Sequence, residues 1–283
     1  REGILSEETA VEPVLACTAS PATDFHAEPS LQEEKVVRHG MSQVSNIPRA
    51  SVADWRWQDL VVAALVVGLV FVAFVPGLLN QREDARVLAC QNNLRQLSGS
   101  LNDYSERNYG LFPPIPKEGN LSVASAFGPI LVGSEMLPNP QILLCPDSSL
   151  SEQASTSDQP FTVPRPEEVA RIDSPAELLQ TQETMGGSYG YSLGYHQNGS
   201  YRPTKNLHRP YFAVLSDSPG DAEQGSHHGG RGQNVLFEDG HVMFITKACA
   251  AGGRDNLFRN DADQIAAGLH PNDIVIAAGA VSP

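Results

Sequence analysis

Apolar residues are most concentrated at positions 60–79, a run of twenty residues without a charged side chain. An α-helix rises about 1.5 Å per residue, so a helix of this length measures about 30 Å, the thickness of the hydrocarbon core of a bilayer. A buried core helix is the alternative, but such helices are usually shorter and carry polar residues along one face. The run therefore predicts a transmembrane helix over about residues 60–79.

After residue 80 the pattern changes to that of an amphipathic helix. Apolar positions recur every three or four residues, at Val87, Cys90, Leu94, Leu97 and Leu101. No helix-breaking residue separates the two patterns, and Gly110 followed by two prolines ends the second one. We therefore predict one long helix over residues 58–110, with its first half in lipid and its second half packed on a folded domain.

Residues 1–57 are mainly polar and show no sustained periodicity. They contain too little apolar surface to offset the entropy cost of ordering, so we expect this segment to be disordered. It is not a secretory signal, because the apolar run begins far too late in the chain. The predicted organisation is a disordered segment (1–57), the long helix (58–110) and a folded domain (111–283).

The segment 111–283 reads as short helices and strands joined by loops, an α+β domain. Its clearest signal is Asp239-Gly240, which lies between the apolar runs 233–238 and 241–245. An Asp-Gly pair between two such runs is typical of a tight β-hairpin turn. The 24 glycines and 21 prolines are dispersed without a period, which also favours a loop-rich β domain.

Charge and cysteine content restrict the partners and the compartment. The formal net charge of −14 would repel a phosphate backbone, so a nucleic-acid partner is not expected. The four cysteines are scattered and show no zinc-type spacing. In an oxidising compartment Cys90 and Cys145 are the pair that we expect to form a disulfide, and four reduced thiols are the equal alternative.

Four stretches in order resemble the DUF1559 family, which carries a prepilin-type processing-associated H-X9-DG domain. They are the charged stretch 81–86, CQNNLRQL at 90–97, Cys-Pro-Asp at 145–147, and the stretch 228–242 with its His, Asn-Val-Leu-Phe and Asp-Gly. The resemblance implies a pilin-like α+β fold, in which a long N-terminal helix with a membrane-spanning first half packs on an antiparallel β-sheet domain.

The resemblance also implies a place and a role. The place is the bacterial inner (cytoplasmic) membrane, crossed once, with the C-terminal domain extracytoplasmic. The role is that of a non-enzymatic, pseudopilin-like structural or accessory component of a type II secretion or type IV pilus-like system. The implied partners are the lipid bilayer, like subunits and the secretion or pilus machinery.

The chain departs from the family pattern at two places. Ten residues rather than nine separate His228 from Asp239, and residues 54–55 stand where the family has the Gly-Phe pair of its leader cleavage site. Asp59 occupies the position of the family's helix acid, which is thought to pair with the N-terminal amine of a neighbouring subunit. Without leader cleavage that amine is not created, so we expect Asp59 to lie in the headgroup region and the protein to stay anchored.

The residues with the most chemical potential lie between positions 217 and 241. Imidazole and carboxylate groups bind metals and can act as acids or bases, so Asp217, His228 and Asp239 are candidate metal ligands, with calcium as the expected ion. A purely structural hairpin and loop is the favoured interpretation. No nucleophile elbow, phosphate loop or dinucleotide motif occurs, so we expect no enzyme. A membrane-anchored extracytoplasmic binding module is the alternative function, and a metal-dependent hydrolase comes third.

Overall fold

The computed structural model describes residues 57–217, 227–248 and 255–283, and for residues 73–80 it describes the backbone only. The predicted disordered segment lies outside these residues, apart from Trp57. Trp57 begins helix α1, which runs over Trp57–Arg107. The described residues fall into two compact units, and the boundary between them lies inside α1, between Gln81 and Arg82.

The predicted transmembrane helix is wrong. Among the described residues, no helix is long and apolar enough to cross a membrane. This finding contradicts two expectations from the sequence. One is a pilin-like fold whose long helix spans a membrane with its first half, and the other is a protein that crosses the inner membrane once. The α+β class with an antiparallel sheet is what the structure has.

The second half of α1 belongs to the hydrophobic core. The predicted apolar stripe is confirmed at Cys90, Leu94, Leu97 and Leu101, which are at most 1% exposed, whereas Val87 is half-buried. Their spacing of three and four residues places them on one side of the helix. The helix ends before Gly110, whose positive φ of 78° lets its N–H donate to the Ser105 carbonyl at 2.8 Å.

Four short helices and seven strands follow α1 in the described part of the chain. The helices are α2 (Phe127–Gly133), α3 (Ser149–Thr156), α4 (Pro166–Val169) and α5 (Pro175–Thr184). The strands are β1 (Tyr189–Ser192), β2 (Tyr195–Gln197), β3 (Ser200–Arg202), β4 (Ala213–Asp217), β5 (Gln233–Phe237), β6 (Val242–Ile245) and β7 (Ile276–Ala277).

Five of the strands form one antiparallel sheet in the order β6-β5-β4-β1-β7, while β2 and β3 form a separate hairpin. The central strand β4 is buried at every residue, as expected for a strand covered on both faces. The predicted Asp239-Gly240 hairpin is confirmed, because β5 pairs with β6 in the register Leu236–Val242 and Gly240 adopts a φ of +89°.

A buried ion pair fixes the segment before β4 to the end of β5. The guanidinium of Arg209 binds both carboxylate oxygens of Glu238, with Nη2–Oε1 at 2.6 Å and Nε–Oε2 at 2.9 Å. The side chain of Glu238 is fully buried, and its Oε2 also accepts the backbone N–H groups of Leu207 and Arg209. Such a bidentate pair is geometrically specific because a guanidinium and a carboxylate are both planar.

Candidate metal centre

Four buried side chains from four different segments meet beside the sheet. The ligand atoms of Cys90, Cys145, Asp217 and His228 all lie within 4.8 Å of one another. Each residue is at most 1% exposed. We call these four residues the Cys-His-Asp cluster.

Helix α1 and strand β4 position two members of the Cys-His-Asp cluster. Cys90 is the first buried residue of the α1 stripe, so the helix packing that buries Leu94 also directs the Cys90 thiol inward. Asp217 is the last residue of β4, where it pairs with Tyr189 of β1. The thiol of Cys90 lies 2.6 Å from Asp217 Oδ1, and the hydroxyl of Tyr189 lies 3.3 Å from Cys90 Sγ.

His228 reaches the cluster through a left-handed turn. Its φ is +56°, and Gly229 and Gly230 follow at +62° and +72°. Left-handed backbone is uncommon for a residue with a side chain, and such residues concentrate at functional sites. Asp147 stabilises this conformation, because its Oδ2 accepts the backbone N–H of His228 at 2.6 Å.

Cys145 reaches the cluster from the Cys-Pro-Asp turn. This turn follows a single 3-10 turn at Pro140–Leu143 and is closed by the N–H of Ser148, which donates to the Cys145 carbonyl at 2.9 Å. The turn therefore does two things. It buries the thiol of Cys145, and it places the carboxylate of Asp147 under the His228 backbone.

The polar atoms inside the cluster converge on the His228 ring. Its Nε2 lies 2.9 Å from Asp217 Oδ2 and 3.8 Å from Cys145 Sγ. Asn234 of β5 supports the carboxylate, since its backbone N–H and its side-chain amide donate to Asp217 Oδ2 at 2.7 and 3.0 Å. The other ring nitrogen, Nδ1, is buried without a hydrogen-bond partner and lies 3.7 Å from Asp147 Oδ2.

The electrostatics of the cluster favour one thiolate beside an imidazolium. Burial lowers the pKa of His228, but the hydrogen bonds with Asp217 and Cys145 outweigh it and raise this pKa to about 10. The hydrogen bond from Cys90 lowers the pKa of the Cys145 thiol to about 4, against the opposing effect of burial. Burial raises the pKa of the Cys90 thiol, which therefore keeps its proton.

A thiolate beside an imidazolium is also the ion pair of cysteine hydrolases, but the geometry does not suit that chemistry. Cys145 is 0% exposed, so a substrate cannot reach its sulfur. Asp217 and Cys145 both contact the same nitrogen of His228. In a catalytic triad the carboxylate instead orients the ring from the opposite nitrogen.

The structure brings together some of the residues singled out in the sequence and separates others. Asp217 and His228 lie in the cluster, whereas Asp239 pairs with His241 at the turn of the hairpin and is not among the clustered groups. Cys90 and Cys145 are neighbours but are free thiols, and their disulfide stays a prediction. Asp59 lies in the first turn of α1, and the expectation that it lies among lipid headgroups falls with the predicted transmembrane helix.

Sequence reasoning missed the two cysteines as partners of His228 and Asp217. Cys90 is 127 residues from Asp217, and Cys145 is 83 residues from His228. Short metal motifs depend on ligands that are close in sequence, so no such motif arises here. The available signal is that Cys90, Cys145 and His228 each begin one of the four stretches that resemble DUF1559 proteins.

A second group of clustered metal-type ligands, made of carboxylates alone, lies in the C-terminal segment. It comprises Asp255, Asp261 and Asp273. Asp273 is buried and its Oδ2 accepts the N–H groups of Asp261 and Leu269, while Asp255 Oδ2 accepts the N–H of Ile274 at 2.9 Å. These bonds order the segment, and burial raises the pKa of Asp255 to about 6.

We expect Asp255→Asn to stabilise the protein at neutral pH and to have little effect in acid. A carboxyl with a raised pKa in the fold opposes folding once it ionises, so its cost grows as the pH rises from about 4 to about 6 and persists above that range. Because the group is only partly buried, the expected gain is about 1 kcal/mol at pH ~7.5 and near zero at pH ~4. Urea unfolding at both pH values measures it. Asp263→Asn, an exposed change in the same segment, is the control, and an equal effect at both pH values would contradict the prediction.

Comparisons with known proteins add no family to this picture. The chain matches no family model, no curated protein sequence and no solved structure. The resemblance to DUF1559 proteins therefore remains a prediction that rests on the motifs of the sequence.

Proposed function

We propose that the protein is a non-enzymatic structural subunit that associates with copies of itself through the apolar segment of α1, residues 57–72. The observation that carries this proposal is the exposure of that segment. All of its described side chains except the half-buried Ala63 are exposed, and Leu65, Leu69 and Val72 are exposed to 62%, 70% and 74%. Globular proteins rarely leave a continuous apolar surface of this kind uncovered.

The shape of the exposed surface favours several neighbours rather than one. Apolar residues surround the helix on all sides, so a partner that covers one face leaves the others in water. Treated as a cylinder about 10 Å wide and 24 Å long, the segment has a lateral surface of about 750 Å². The buried area of the segment approaches the roughly 800 Å² that each partner buries in a stable interface only if the segment is covered on all sides. A bundle of like helices from several copies meets this requirement.

The remaining features fit a structural role. The folded part of the chain buries its most reactive groups, Cys145 and His228, where no substrate can reach them. The resemblance to DUF1559 proteins points to the same class of role, a subunit or accessory of a type II secretion or type IV pilus-like assembly. Like subunits are therefore the partners that we propose.

We expect the full chain to sediment as an oligomer, and Leu65→Glu combined with Leu69→Glu to release monomers. The two carboxylates that each chain brings into the bundle would have to lose water without partners, so the dissociation constant should rise at least tenfold. Analytical ultracentrifugation over a range of protein concentrations measures this. The control is Leu88→Glu, which adds one such carboxylate to an exposed position of α1 outside the segment and should leave the mass unchanged.

Two results would contradict the proposed function. One is a wild-type chain that stays monomeric at concentrations of tens of micromolar. A monomer that binds phosphatidylcholine vesicles but does not self-associate counts as this result. The other is an oligomer whose mass and concentration dependence do not change in the Leu65→Glu, Leu69→Glu variant.

A further inference from the structure

We propose that Cys90, Cys145, Asp217 and His228 bind one Zn²⁺ ion as a closed, four-coordinate structural site. This proposal concerns the folded part of the chain and does not depend on self-association through the apolar segment of α1. It differs from the calcium site expected from the sequence in its ion, in two of its ligands and in the exclusion of Asp239.

The donor set selects the ion. Two thiol sulfurs, one imidazole nitrogen and one carboxylate oxygen are the ligand types that zinc takes in proteins, usually four in a tetrahedron. Calcium needs six to eight oxygen ligands, and magnesium needs an octahedron of oxygens. The Cys-His-Asp cluster offers sulfur at half of its positions, so its chemistry fits zinc and does not fit either of these ions.

The geometry is close to that of a filled site. Zinc bonds of about 2.0–2.3 Å place neighbouring ligand atoms of a tetrahedron about 3.3–3.8 Å apart. Cys145 Sγ and His228 Nε2 already stand 3.8 Å apart. The shorter distances, 2.6 Å from Cys90 Sγ to Asp217 Oδ1 and 2.9 Å from Asp217 Oδ2 to His228 Nε2, need to open by less than about 1 Å. Side-chain rotations of that size leave the backbone in place.

An outer layer of hydrogen bonds already holds the ligands in their orientations. Asn234 donates two hydrogen bonds to the Asp217 carboxylate. On the far side of the His228 ring, the unpartnered Nδ1 lies 3.7 Å from Asp147 Oδ2, and Arg86 holds that carboxylate through a 2.6 Å ion pair. A histidine that binds zinc through one nitrogen commonly donates its other N–H to a carboxylate, which fixes the ring. Asp147 is positioned to accept the N–H of His228 Nδ1 in this way.

Zinc binding and a disulfide exclude each other at this site. On binding, the thiol of Cys90 and the Nε2 of the protonated His228 ring each lose one proton to solvent, while Cys145 and Asp217 bind as the anions they already are. All four groups then form bonds to the ion, and no oxidant takes part. A disulfide would use the same two sulfur atoms and leave His228 and Asp217 buried without the ion. The convergence of a histidine and a carboxylate on the two thiols is therefore what distinguishes a metal site from a disulfide.

The ion would connect four segments that meet only through tertiary structure. It would bind α1 to the end of β4, to the Cys-Pro-Asp turn and to the turn before β5. Linking residues as far apart as the 127 that separate Cys90 from Asp217 closes a long loop of the chain, which restricts the unfolded state. The site would therefore hold the second half of α1 against the sheet.

The test is the zinc content of the full chain after incubation with zinc sulfate and removal of unbound metal. We expect about one zinc per chain in the wild type, and at least a tenfold loss of zinc affinity in Cys145→Ser and in His228→Gln. Asp239→Asn and His241→Gln are matched controls, because they remove the same kinds of groups from the hairpin turn outside the cluster and should retain the zinc.

A second measurement does not depend on the folding of any variant. Replacing zinc with Co²⁺ in the wild type should give the intense thiolate-to-cobalt charge-transfer absorption and the strong visible bands of a tetrahedral site. A wild type that retains no zinc, a cobalt complex without thiolate absorption, or a Cys90–Cys145 disulfide found by mass spectrometry after thiol alkylation would each overturn the proposal. Full zinc content in both ligand variants would do the same.

Discussion

Glu238→Gln should lower the free energy of unfolding by about 3–5 kcal/mol, the range expected when one partner of a buried ion pair loses its charge. The Glu238 side chain is fully buried, and its two oxygens accept four hydrogen bonds, two from the Arg209 guanidinium and two from backbone N–H groups. A glutamine retains one oxygen and places an amide donor against the guanidinium. Arg209, 13% exposed at its side chain, is then left with an uncompensated charge.

Equilibrium unfolding in urea measures this loss. Asp263→Asn is the control, because Asp263 also faces an arginine, Arg259, but its side chain is 86% exposed. Exposed pairs contribute about 0–1 kcal/mol, so the control should change stability very little. Combining Glu238→Gln with Arg209→Met should recover part of the loss, since both charges are then gone. A loss below about 1 kcal/mol in the single variant would contradict a stabilising role for the pair.

Leu97→Ala should lower the free energy of unfolding by about 2–5 kcal/mol. Leu97 is 0% exposed and belongs to the core that α1 forms with the sheet, so truncation removes apolar contacts and leaves a cavity. The size of the loss reports whether the second half of α1 is an integral part of the fold.

Leu88→Ala on the same helix is the matched control for this prediction. The chemical change and the helix are the same, but Leu88 is 58% exposed, so the expected effect is within about 0.5 kcal/mol. Urea unfolding of both variants under one set of conditions gives the comparison. Equal losses in the two variants would show that the second half of α1 is not packed as the structure places it.

The periodicity of residues 87–101 and the Asp239-Gly240 turn were both predictable because they are local. A spacing of three and four residues specifies one face of a helix, and the structure buries Cys90, Leu94, Leu97 and Leu101 on that face. An Asp-Gly pair supplies the backbone conformation of a tight turn, and Gly240 adopts it. Neither conclusion required knowledge of what else lies nearby.

The apolar run at 60–79 led to a wrong conclusion for a related reason. Hydropathy alone establishes that such a helix must be covered, but it does not identify the cover. A lipid bilayer was inferred from length, and no helix in the described residues meets the requirement for crossing one. The exposed side chains of residues 57–72 instead support covering by copies of the chain.

The positions of the Arg209–Glu238 pair and of the Cys-His-Asp cluster were beyond sequence reasoning. Strand β4 pairs with β1 and β5, which brings Asp217 beside Tyr189 and beneath Asn234. That strand order depends on long-range pairing and not on any local pattern. Asp239, which looked equivalent to Asp217 in the sequence, faces a different environment at the hairpin turn.

The sequence by itself determined the amphipathic helix with its inward-facing Cys90, the β5–β6 hairpin, and the acidic character of the chain. These follow from propensity, periodicity and charge, which act over a few residues or on the chain as a whole. Only the tertiary structure decided that Cys90, Cys145, Asp217 and His228 share one buried site and that Asp239 does not. The reason is that a metal-type cluster depends on directions and distances of a few ångströms, and these are set by how the helix packs on the sheet.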